Sequence, residues 1–98
     1  MSGTMEIMLR RVSLELLEAR AYETERLTSY VVTVLRTAMD AQQVTTRILA
    51  AKMRQPTSRV AQMLAFPKTL TLQNLAEMAV ALGLRFDVLL SEYETAQP

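Results

Sequence analysis

Pro56 divides two stretches that are each patterned as a helix, in LAAKMRQPTSRVAQML from Leu49 to Leu64. A proline inside a helix removes a backbone hydrogen bond and clashes with the preceding turn, so one straight helix cannot run through it. In the first turn of a new helix its missing N–H costs nothing, and Thr57 and Ser58 offer capping oxygens beside it. The stretch therefore predicts two short helices meeting at an angle. The first starts at Thr45 or Thr46 and buries Ile48, Leu49 and Met53. The second begins at about Pro56 to Ser58, runs to Leu64 or Ala65, and turns Val60, Met63 and Leu64 inward.

The rest of the chain reads as helix too. It has two glycines and three prolines and no hairpin dipeptide, which points to an all-α class. Its 98 residues suffice for one core. Leu27, Val31, Val34, Leu35 and Ala38 form a helical stripe, and 40–43 is a short connection. Phe66-Pro67-Lys68 is a loop. In LTLQNLAEMAVALG, Thr71 caps a helix, Leu70 staples to Leu75, and Gly83 ends it, with Leu72, Leu75, Met78, Ala79 and Leu82 inward. RFDVLLSEY reads as a short helix or an edge strand, and helix is preferred. At the other end Met5-Ile7-Leu9 alternates like a strand, whereas Leu14, Leu17 and Ala21 are spaced like a helix with Ser13 as its N-cap. This gives an N-terminal extension over 1–26, a bundle of about five helices over 27–91, and a frayed tail over 92–98.

Composition removes several chemistries. There is no histidine and no cysteine, so a histidine-dependent triad, a thiolate or imidazole metal site and a disulfide framework are all excluded. No phosphate-binding glycine loop is present, and the expectation is a protein that is not an enzyme and carries no cofactor. The carboxylate pairs Glu15/Glu18 and Glu23/Glu25 read as solvated surface, the seven methionines as core filler. The absence of an 18-residue apolar run, of a signal-like N-terminus and of cysteine points to a cytoplasmic protein.

The net charge of +1 conceals a strong asymmetry. Residues 1–40 carry five basic and six acidic side chains, and residues 77–98 carry one basic and four acidic. Residues 41–76 carry Arg47, Lys52, Arg54, Arg59 and Lys68 and no acid. Such a stretch is either a chance gap in a solvated surface or a face that meets a polyanion.

Two short helices with a tight connection and small residues at their crossing form a helix-turn-helix pattern, in which Ala50 lets the axes approach and Val60 and Leu64 clamp the second helix to the core. Here the sequence resembles the lambda-repressor-like (XRE) helix-turn-helix family. The resemblance lies in Val44-Thr45, Leu49-Ala50, Met53, the turn Arg54-Gln55, Pro56-Thr57-Ser58 and Val60-Ala61, and in TLTLQNLAEMAVALG from Thr69 to Gly83. It covers about residues 27–91 and departs from the family pattern at three places. Arg54 replaces the turn glycine, Gln55 an apolar residue, and Pro56 a Ser/Thr cap.

That resemblance implies a lambda-repressor-like bundle acting as a transcriptional repressor on double-stranded operator DNA. Thr57, Ser58, Arg59 and Gln62 would read bases, Arg59 suiting guanine and Gln62 adenine. Thr46, Arg47, Arg54, Gln55 and Lys68 would hold phosphates. One such domain contacts few bases, so a homodimer is expected on a palindrome, with recognition helices about 34 Å apart. Two other readings stay open. In one the chain is an antitoxin whose Met5–Leu17 segment holds a protein toxin; in the other it is a helical interaction module without a DNA role.

Overall fold

The computed structural model describes residues 2–92, without the side chains of Ser2 and Val12. Its elements are α1 (Ser2–Ala41), α2 (Thr46–Met53), α3 (Thr57–Ala65), a 3-10 turn (Pro67–Thr69) and α4 (Leu72–Ala81). All are helical, and no strand occurs among the described residues. No helix among them is long and apolar enough to cross a membrane.

At 40 residues α1 is the dominant element, and its rise makes it about 60 Å long. It accounts for most of the 63 Å length of a molecule only 26 × 20 Å in the other directions. Two expectations are corrected here. The alternation at Met5-Ile7-Leu9 is helical, and Ser13 lies inside α1 instead of capping a new helix. The helix also runs unbroken past residue 26. Thr24 and Thr28 return their hydroxyls to the carbonyls of Arg20 and Thr24, 2.7 Å each, which spares both side chains from competing for other backbone groups.

The core gathers at the C-terminal end of α1. Leu35 and Met39 of α1, Leu49 and Ala50 of α2, Val60, Met63 and Leu64 of α3, and Met78 and Leu82 around α4 form one buried cluster, with Val31, Leu70, Leu75 and Phe86 packed on it. Ile48 and Leu27 are turned outward, against expectation, and so is Leu72, at 78 % exposure. Leu72 opens α4, whose first turn lies beyond the edge of the core, so its inward line begins at Leu75.

A third correction concerns the segment after α4. Residues 84–92 form no helix and no strand. Phe86 packs on the core, but Val88, Leu89 and Leu90 are 85 %, 88 % and 97 % exposed. A helix this short is stable in water only when a face is packed, and here nothing receives one. The bundle therefore has four α-helices and a 3-10 turn among the described residues, not five α-helices. The expected tail falls, from Tyr93 on, outside the described residues.

Three of the connections share one device. At the ends of α1, α2 and α4, Gln43 (φ 56°), Arg54 (φ 56°) and Gly83 (φ 70°) are left-handed. Each is followed by an N–H that reaches back across the last turn: Val44 to Met39, Gln55 to Ala50 and Leu84 to Ala79, at 2.8, 3.0 and 2.8 Å. These are Schellman closures, which satisfy carbonyls that a helix end would otherwise leave unpaired. Only one uses glycine. A fourth tie is longer in range: the Gln42 amide donates to the Leu82 carbonyl at 2.8 Å and joins the end of α1 to the end of α4.

Candidate nucleic-acid interface

Helix α3 is short and has two distinct faces. Val60, Met63 and Leu64, at i, i+3 and i+4, are buried against the core. Thr57, Ser58, Arg59 and Gln62 are all exposed on the rest of its surface, Arg59 and Gln62 one turn apart. Ala61 and Ala65 are also exposed, and their small side chains leave the surface around these polar groups low.

The start of α3 follows from Pro56. It occupies the N-cap with extended backbone (φ −61°, ψ 142°), and α3 begins at Thr57. Proline has no side-chain oxygen, so no side-chain bond caps this helix. Its leading N–H groups point out at the same end as Thr57 and Ser58, giving a partial positive charge there. By contrast α2 is capped, Thr45 accepting from the Ile48 N–H at 3.2 Å. Thr46 is thus the first residue of α2 and half-buried, while Arg47 beside it is exposed.

Between the two helices, Arg54 keeps the turn closed in the left-handed conformation (φ 56°, ψ 43°). The turn is held at the cost of backbone strain and is not rearranged to avoid it. Gln55 is half-buried and spends its N–H on Ala50, so its side chain alone is left for a ligand.

Arg47, Lys52, Arg54 and Arg59 are exposed and make no ion pair among the described residues. Lys68, on the 3-10 turn, differs: it pairs with Glu25 of α1. Both partners are more than half exposed, which makes the pair weak. Glu25 was not legible as part of this region, because 43 residues separate it from Lys68 and no local pattern links them. Arg59 and Gln62 thus share one helix, Arg54 and Gln55 adjoin its start, and Lys68 follows its end, whereas Thr46 and Arg47 sit at the far end of α2.

No group of histidine, cysteine or carboxylate side chains that could hold a metal occurs among the described residues, and none of their polar side chains is buried. Compared with known proteins, the chain matches no family model, and no curated protein or solved structure is similar enough to serve as a relative.

Proposed function

We propose that this chain is a sequence-specific DNA-binding regulator of the lambda-repressor-like kind, which lays α3 in the major groove and represses by occupying a promoter as a homodimer. One observation carries the reading: α3 buries Val60, Met63 and Leu64 and leaves Thr57, Ser58, Arg59 and Gln62 open, within a stretch that has five cations and no acid. A helix held from behind by its core face, with polar side chains in front and cations around them, is what reading base edges from a phosphate-lined groove requires.

In this reading Arg59 and Gln62 contact bases, with Thr57 and Ser58 at the uncapped start of α3. Arg47, Arg54, Gln55 and Lys68 lie on phosphates, with Thr46 at the start of α2. The left-handed Arg54 supports its role, since a cation stands where glycine would be conformationally cheaper. Binding should then weaken steeply with salt, in proportion to the phosphates neutralised.

Selection of binding sites from random duplex DNA, at fixed salt, tests this directly. The wild-type chain should enrich a defined site, and Arg59→Ala should relax one position of it, costing about 1–3 kcal/mol there. Enrichment of no site by the wild type would end the proposal. An unchanged site with Arg59→Ala would shift the register of α3.

A second reading is favoured by a different observation, the exposed apolar residues Met5, Ile7, Leu9, Leu14 and Leu17 of α1. They would suit an antitoxin that also holds a protein toxin on this arm. Purification of the chain in a fixed ratio with a co-expressed neighbouring gene product would support it.

A further inference from the structure

The N-terminal half of α1 stands away from the core with its apolar side chains uncovered. Met5, Leu9 and Leu16 are 66 %, 61 % and 61 % exposed, and with Ala19 they follow the 3.5-residue spacing of a two-helix seam. The seam ends where Glu23 and Arg26 pair with each other at 2.9 Å. A helix apolar on this scale is stable when another surface covers it.

The charges of this segment indicate which surface. From the N-terminus they run Glu6, then Arg10 and Arg11, then Glu15 and Glu18, then Arg20. Read backwards about Ser13 the sign inverts at two pairs, Glu6 coming level with Arg20 and Arg11 with Glu15, while Arg10 and Glu18 come level with Leu16 and Met8. Two copies lying antiparallel across that point bring Glu6 level with Arg20 and Arg11 level with Glu15, on both sides of the dyad. A parallel pair in register would bring Arg10 and Arg11 level with their own copies.

We infer that residues 2–26 of α1 pair antiparallel with the same segment of a second copy, about a two-fold axis at Ser13. The interface is isologous, with Met5, Leu9, Leu16 and Ala19 as its apolar seam and Glu6–Arg20 as its flanking ion pair. It supplies the contact surface for the homodimer of the DNA reading and rests on that reading only for this use, since the pairing itself needs no DNA.

The chain has no cysteine, so a single introduced cysteine is a unique labelling site. The test is the distance between spin labels on two copies of the full chain, measured without DNA, for Gly3→Cys, Ser13→Cys and Thr24→Cys, each first checked for helicity. Gly3 tolerates the change, since a Cβ there meets nothing within 4 Å. In the antiparallel dimer the distance is shortest at Ser13, and the axial offset between the two labels grows by about 3 Å for each residue away from it, to about 30 Å at Gly3 and Thr24. Equal short distances at all three sites would mean a parallel pair and overturn the proposal. So would a chain that stays monomeric at tens of micromolar, as an arm reserved for a different protein would leave it. Gly3 and Thr24 alone separate the two dimers, should Ser13→Cys disturb the axis. Loss of site selection on DNA with these distances intact would sink the DNA reading and leave the dimer standing.

Discussion

Arg54 and Gln43 are the residues at which this chain gives up stability. Each closes a Schellman turn in a left-handed conformation that costs a residue with a Cβ roughly 1 kcal/mol or more. Replacing either with glycine should therefore stabilise the fold by about 1 kcal/mol, despite the entropy that glycine adds to the unfolded chain. The reciprocal change, Gly83→Ala, should destabilise by about the same amount. A Cβ at Gly83 meets nothing within 4 Å, so that loss is backbone strain alone. Urea denaturation of the three variants measures all of this, with unaltered m-values as the control. Arg54→Gly and Gln43→Gly should then part company on DNA. The first loses a phosphate contact and lowers the salt slope by about one, while the second binds as the wild type does. Equal affinity for both variants would remove Arg54 from the interface.

At the scale of elements, α2, α3 and α4 were legible because their signals are local. Pro56 acts on its own turn, Thr45 caps through an N–H three residues on, and Thr71 forms a reciprocal pair with Asn74, which donates its N–H to Thr71 and accepts from the Thr71 N–H at 3.0 and 3.2 Å. Such bonds form whatever the rest of the chain does. Burial was less legible. Leu72 and Ile48 lie on stripes of the right period, yet neither reaches the core, because period alone does not say where a neighbouring helix ends. The 84–92 segment departs from its pattern for the same reason: its apolar residues suggest a packed face, and the fold offers a surface only to Phe86. The joint between α1 and α4 rests on Gln42 and Leu82, 40 residues apart. Gln42→Ala should cost about 1 kcal/mol in thermal or urea unfolding, through the lost bond and the bared carbonyl at the end of α4. Leu49→Ala, at a position with no exposure, should cost more, about 2–5 kcal/mol.

For the molecule as a whole, the arm of the proposed dimer would set the distance between its two α3 helices. From Ser13 to the core residues Leu35 and Met39 is about 24 residues of continuous α1, or about 35 Å, and twice that separates the two copies. The antiparallel dimer should thus place its recognition helices about 70 Å apart, near two turns of B-DNA instead of one. Half-site spacing in the selected DNA checks this, and a spacing of one turn would exclude it. Leu9→Lys with Leu16→Lys should abolish the dimer in sedimentation and leave the melting of the core cluster almost unchanged, because neither side chain touches it. On DNA the same pair of changes should reduce a two-half-site footprint to single half-sites.

The sequence by itself determined the helical class, the break at Pro56, the cap at Thr71 and the ending at Gly83, and narrowed the cap of α2 to Thr45 or Thr46, since each depends on groups within a few residues of one another. It also set the acid-free charge of 41–76 and the sign order along α1. Only the tertiary structure decided that α1 is one helix of 40 residues, and that its first half lies bare while its last turns carry the core. It decided, too, that Lys68 meets Glu25 and that 84–92 lies without regular structure. The reason is physical. Which face of a helix is buried, and which ion finds a partner, depends on surfaces that meet only after loops tens of residues long have closed.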